Sequence, residues 1–243
     1  MSMTFENATT KSVDVNGTNF LFREIGKKGG VPVVFLHHLT AVLDDWDPRV
    51  VDGLAAKHHV IVFDNRGVGG SGGSTPKSVE EMARDAVAFI GALGFSQVDL
   101  LGFSLGGFVS QVIAQQQPGL VRKIILAGTG PAGGDGIVNV GAVLQDAFGK
   151  AGATNKHPKH FLFFTQTSNG QRAADDFLQR LKERTRDLDA PVSNETVQAQ
   201  LAAIQAWGQG DATTLGGGPA SCPGRQRRSR RDGAVVQLIR ARA

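Results

Sequence analysis

The sequence predicts an α/β fold built on a mostly parallel sheet. Three observations carry this: short apolar runs recur along residues 31–127, helical stripes separate them, and a hairpin signal precedes them. The chain has 243 residues, 41% hydrophobic and 20% charged, which suits one or two domains with a sizeable core. That composition excludes a disordered chain as a whole. No apolar run approaches the ~18–20 residues a membrane helix needs, so no membrane association is expected. The start, from Met1 to Glu6, lacks the basic-then-apolar layout of a signal peptide, and a cytoplasmic location is the expectation.

Taken in order, the first element is a pair of extended stretches between Val13 and Arg23, flanking Asn16-Gly17, the dipeptide a type I′ turn prefers. Gly29-Gly30 then breaks the chain ahead of the apolar run Val31–Leu36. His59–Asp64, Val98–Phe103 and Val121–Ala127 have the same character. Strands buried on both faces belong to parallel sheets, whose crossover helices cover the two sides. Ser78 and Glu81 form a capping-box signature, and Val79, Met82, Ala83, Ala86, Val87, Ile90 and Leu93 repeat at helical spacing until Gly94. Leu105, Phe108, Val109, Val112 and Ile113 mark a second helix, closed by Pro118. Residues 137–210 contain helical stretches and no convincing strand. One candidate helix runs from Asp175 to Arg184, and another from Asn194, read as its N-cap, to Trp207.

The most informative segment is Leu101–Gly107, which places G-x-S-x-G (Gly102 to Gly106) where a strand ends and a helix begins. A sharp strand-to-helix turn forces its serine, Ser104, into a strained conformation, and side chains two residues to either side would clash. The hydroxyl then projects above the strand ends, and the Leu105 N–H, at a helix N-terminus, can face an oxyanion.

With these residues the chain resembles the α/β-hydrolase family over about residues 10–210. Phe35-Leu-His-His-Leu39, followed by Trp46, resembles the family's oxyanion loop, with His37 at its His position and His38 where glycine is usual. The resemblance makes the Leu39 N–H a second oxyanion donor. Asp64–Ser71 resembles the D-x-R-G-x-G-x-S segment, in which Asp64, Arg66 and Gly67 shape a loop and do no chemistry. The resemblance implies a core over residues 1–136, a substrate-covering helical cap over 137–210, and a serine hydrolase of the esterase, lactonase and haloperoxidase-like branch acting on a small-molecule substrate. Members that use aspartate at the position of Ser104 attack alkyl carbon instead.

Serine attack requires a base, and the base an orienting acid. In the family both follow the last strands, and here those strands are missing from the expected place. The six histidines stand at 37, 38, 58, 59, 157 and 160. Asp135, in a loop after the fourth parallel strand, is a minority candidate for the acid, and a histidine from His157-Pro-Lys-His160 a minority candidate for the base. That i, i+3 pair lacks the carboxylate cluster of a metal site. Gly128–Gly133 fits the dinucleotide pattern G-x-G-x-x-G, but Pro131 and Gly133-Gly134 oppose the helix such a site requires. No motif implies a metal, nucleotide or other cofactor.

The net charge of +4 hides an asymmetry. Residues 1–210 carry 19 Lys/Arg against 20 Asp/Glu, whereas residues 211–243 carry seven Arg and two Asp. The only cysteine, Cys222, is there too, which excludes an internal disulfide framework. An arginine-rich arm can bind nucleic acid by charge, yet this one has no aromatic side chain for base stacking. A shifted reading frame is the alternative. Allowed codons for Ala220–Ala243, read one nucleotide later, permit H-P-V-L-V-A-N-G-D-H-D-G-M-V-P-S-S-N-S-Y-E-L-A-R. That peptide resembles the family's next strand and its acid-bearing turn. The tail therefore reads as aberrant and without a fold of its own, leaving an impaired hydrolase or a pocket-bearing protein without turnover.

Overall fold

The computed structural model describes residues 4–211 and the strand Val236–Arg240. Cys222 and the arginine run 225–231 lie outside the described residues, as does most of the stretch read in the shifted frame.

The hairpin forms as β1 (Lys11–Val15) and β2 (Thr18–Ile25), and both turn residues take positive φ, 54° at Asn16 and 82° at Gly17. Mirror-image turns match the strand twist, which is why this dipeptide suits them. The apolar runs become β3 (Val33–Leu36), β4 (Val60–Phe63), β5 (Val98–Phe103) and β6 (Val121–Ala127). The sheet order is β1-β2-β4-β3-β5-β6-β7, where β7 is Val236–Arg240. β4, β3, β5 and β6 run parallel, while β1, β2 and β7 pair antiparallel with their neighbours. An open β6 edge is the expectation for a chain without the family's last strands. Here β7 occupies that edge and satisfies its backbone groups.

Crossover helices cover both faces. α1 (Pro48–Ala55) starts from Asp47, whose carboxylate accepts the Arg49 N–H, with Pro48 at the first helical position. α2 (Val79–Ala92) realises only half of its capping box. Ser78 Oγ accepts the Glu81 N–H at 3.3 Å, but the Glu81 carboxylate faces Arg84 at 3.7 Å. α3 (Leu105–Gln116) follows β5 with Ser104 alone between them. α2 and α3 pack on the face where Phe20, Phe63 and Phe89 meet, the Phe63 and Phe89 rings stacked at 4.1 Å. The opposite face holds Phe35, Trp46, Val51 and Val62 under α1.

Residues 137–210 are helical: α4 (Val140–Thr154), α5 (Lys159–Leu162), α6 (Ser168–Arg180) and α7 (Asn194–Gly208). Of the candidate helix Asp175–Arg184, the residues to Arg180 form the second half of α6, which starts seven residues earlier from Thr167 as its cap and ends four residues sooner. The N-cap of α7 is Ser193, not Asn194: Ser193 Oγ accepts the Thr196 N–H at 3.1 Å. Trp207 of α7 stacks on Phe108 of α3 at 5.2 Å, tying this helix to the core.

Candidate active site

Ser104 sits at the carboxyl end of β5 with φ 52° and ψ −114°. A β-carbon at positive φ is strained, and neighbouring bonds hold it there. The Ser104 N–H donates to Ala127 O at 2.9 Å, and Ser104 O accepts from Gly107 N at 2.8 Å and from Thr129 Oγ1 at 2.8 Å. The glycines are sterically required. A β-carbon on Gly102 would lie 2.4 Å from Gly106 O and from Ser110 Oγ, and one on Gly106 would lie 2.0 Å from Leu36 O. Gly107, outside the five-residue motif, has the same constraint against the Thr129 side chain at 2.5 Å. Neither Gly107 nor Thr129 is marked by the motif. Thr129 becomes relevant only because β6 places it beside the turn.

The contact of Gly106 with the carbonyls of Leu36 and His37 brings the 36–39 segment against the start of α3. Among the described residues, neither the Leu39 N–H nor the Leu105 N–H is taken by a protein acceptor. Thr40 turns the chain at φ 65° and donates its N–H to Gln200 Oε1 of α7 at 2.8 Å.

His37 is buried with both ring nitrogens engaged. Trp46 Nε1–H donates to Nδ1 at 2.6 Å, which leaves Nε2–H to donate to Asp64 Oδ1 at 3.1 Å. Burial, helped by nearby His38, holds its pKa down at about 3, so it is neutral and has no free lone pair. His38 donates Nδ1–H to Leu39 O at 2.7 Å. Its buried Nε2 has no hydrogen-bond partner among the described residues, and the Phe103 and Phe163 rings pack on the imidazole at 5.0 and 5.3 Å. Burial lowers its pKa to about 4.

Asp64 follows β4, wholly buried, with Oδ1 on His37. Burial, with the Asp189 carboxyl beside it, pushes its own carboxyl well above the usual carboxylate range. Arg66 Nε donates to Asp85 Oδ2 at 2.8 Å, away from the serine. Gly67 takes φ 71° where a β-carbon would meet Thr75 N at 2.4 Å, and its carbonyl accepts from Thr196 Oγ1 of α7 at 2.6 Å.

The remaining candidates do not converge on Ser104. His59 Nε2 pairs with Glu24 Oε2 at 2.8 Å, Glu24 being on β2. His160 faces Gln171 at 3.2 Å and Asp175 at 3.4 Å, and His157 Nδ1 accepts the Lys159 N–H. Asp135 is exposed, in a turn with Gly136 directly ahead of the first helical residue, Ile137. Among the described residues no hydrogen bond joins Ser104 Oγ to a histidine, and no three metal-ligand side chains cluster.

A sequence model of the alpha/beta hydrolase fold matches residues 31–218. The chain belongs to the α/β-hydrolase fold family. An alpha/beta hydrolase fold protein from Chitinophaga pinensis superposes with a TM-score of 0.81 at 38% identity, over 87% of this chain and 76% of that one. A non-heme chloroperoxidase of Streptomyces lividans is 35% identical over 118 residues, 48% of this chain and 43% of its own length. A candidate carbamate hydrolase of Azorhizobium caulinodans is 32% identical over 110 residues, 45% and 41% of the two chains. The matched segments thus span about two fifths of these curated relatives. Among the described residues no helix is long and apolar enough to cross a membrane.

Proposed function

We propose that the chain carries a serine-hydrolase site with Ser104 as nucleophile and the Leu39 and Leu105 N–H groups as oxyanion donors. Its substrates are small esters, lactones or thioesters, and residues 137–210 form the cap over them. The observation that carries this reading is Ser104 at φ 52° between two glycines that leave no room for a β-carbon. A protein stores such strain where it positions a reacting group. Ser104 Oγ adds to the acyl carbon and gives its proton to a base. The carbonyl oxygen becomes an oxyanion facing the two N–H groups. As the tetrahedral intermediate collapses, the base returns that proton to the leaving oxygen or sulfur, which departs as alcohol or thiol, and water then hydrolyses the acyl-serine.

His37 has no free nitrogen, and no described histidine bonds to Ser104. We infer that residues 220–243 are read in a shifted frame and that the acid and histidine belong to the original frame. Turnover is then low, although an oxyanion hole and substrate binding alone leave about 10³–10⁴ over water. The second reading, a pocket-bearing protein without turnover, rests on the same observation.

Labelling with a fluorophosphonate, followed by peptide mass spectrometry, tests both. Adduct on Ser104, absent from Ser104→Ala, supports the nucleophile. A negligible labelling rate, with small esters still bound, supports the inactive reading. Sequencing the gene tests the frame: if no single-base shift restores the peptide above followed by a histidine, that inference fails.

A further inference from the structure

The loop between α6 and α7 is stitched to the core by polar contacts that the hydrolase reading does not use. Asp189 is their centre. Its Oδ1 accepts the N–H groups of Gly70 at 2.9 Å and Ala190 at 2.8 Å, and its Oδ2 accepts the Leu43 N–H at 3.1 Å. Its own N–H donates to Asp44 Oδ2 at 2.7 Å. Asp189 therefore has the donors an ionised carboxylate requires.

Asp64 does not. Its Oδ1 has the His37 Nε2–H, but its Oδ2 is buried and receives no donor among the described residues. A buried oxygen left bare is costly, more so in an ion. The two carboxyls nonetheless converge. A β-carbon on Gly69, which has φ 55°, would stand 2.6 Å from Asp64 Oδ2 and 2.6 Å from Asp189 Oδ2. Glycine at this position lets two acidic side chains meet. One proton resolves both difficulties: on Asp64 Oδ2 it removes the charge and supplies a donor to Asp189.

We propose that Asp64 and Asp189 share one proton, residing on Asp64 Oδ2, and that Asp189 is a positioning residue which fastens the 181–193 loop to Asp64 and so fixes His37, whose backbone carbonyl packs against Gly106 at the start of α3. The bonded series runs Trp46 Nε1–H to His37, His37 Nε2–H to Asp64 Oδ1, and Asp64 Oδ2–H to Asp189. Arg23 of β2 favours ionised Asp64, but its guanidinium is committed to Thr10 Oγ1, Asp44 Oδ1 and Asp187 O. Asp44, in the turn after β3, accepts the Asp189 N–H, Asp45 beside it pairs with Lys159, and Arg184 pairs with Asp187 at 2.9 Å. His37 and His38 are neutral. The direction of the Asp64 shift, set first by burial and then by Asp189, agrees with this assignment.

Loss of the shared proton puts two carboxylates together and repels the loop from residues 64–71. A carboxyl whose folded pKa is raised contributes stability that is complete below its unfolded value and is lost as pH rises toward the folded one. The test is urea unfolding of the full chain across pH 5–9 for wild type, Asp64→Asn and Asp189→Asn. In Asp64→Asn the amide N–H replaces the proton while Oδ1 still accepts from His37. The ratio of its folding constant to the wild type's should grow progressively as pH rises from 5 toward the folded value of Asp64, by up to tenfold per pH unit. The amides of Leu43 and Gly70 should lose exchange protection at high pH in the wild type and keep it in Asp64→Asn. A penalty equal at every pH would overturn the proposal, since it would mark an ordinary structural carboxylate. If both Asn variants fail to fold, carboxyl ¹³C titration of the wild type decides: Asp64 titrating well above the ordinary carboxylate range supports the pair, and Asp64 titrating below pH 4.5 refutes it. None of these measurements depends on Ser104 acting as a nucleophile.

Discussion

Trp46 donates its indole N–H to Nδ1 of His37 at 2.6 Å, and this one bond decides what His37 can do. It forces the proton onto Nε2, directs that proton to Asp64, and leaves the imidazole no lone pair for Ser104. Both ring nitrogens of His37 are thereby committed to Trp46 and Asp64. Trp46→Phe keeps most of the apolar packing against Phe35 and leaves Nδ1 bare. Urea unfolding should show a loss of about 1–3 kcal/mol, the cost of one unsatisfied buried group.

The two loop histidines also set the acid limb of stability. Both have folded pKa values below the ordinary 6.5, about 3 for His37 and about 4 for His38, because burial disfavours the imidazolium. The unfolded chain binds protons that the folded one refuses, so stability is complete above pH 6.5 and falls as pH drops toward 4. Each group contributes up to about 1.4 kcal/mol per pH unit in that window. His38→Phe should flatten the limb by about one proton between pH 6 and 4.5, and neither imidazole should titrate by NMR above pH 5 in the folded protein.

Two glycine substitutions should act in opposite directions. Gly106→Ala drives a methyl to 2.0 Å from Leu36 O, between two backbones that cannot both move. It should cost about 3 kcal/mol or more. Gly149→Ala in α4 meets nothing within 4 Å and should stabilise by about 0.5–1 kcal/mol. Thermal or urea unfolding of both variants checks the contrast.

Ser104→Gly should raise stability, by about 1–3 kcal/mol, because glycine holds positive φ without the strain of a side chain. The same change removes the fluorophosphonate adduct. A variant no more stable than wild type would mean that Ser104 is not strained in solution.

The parallel strands, the hairpin, α2, α3 and the serine turn were legible in the sequence because each is encoded locally. Apolar runs of strand length, the Asn16-Gly17 pair, Ser78 and the two glycines around Ser104 all act within a few residues of themselves. α4 was harder to see, since Gly141, Gly149 and Gly152 depress its helix propensity and packing must supply the difference. The roles at the candidate site are less local still. Whether a histidine has a free nitrogen depends on Trp46 nine residues away, and the state of Asp64 depends on Asp189, brought beside it by the loop between α6 and α7.

By itself, then, the sequence determined the α/β architecture, the place of the strained serine, and a charge imbalance confined to residues 211–243. Only the tertiary structure decided that His37 is locked, that His38 keeps one nitrogen without a partner among the described residues, and that two acids meet over Gly69. The reason is physical. Backbone geometry follows from short-range sterics, whereas protonation and hydrogen bonding follow from which distant side chains share a dry space.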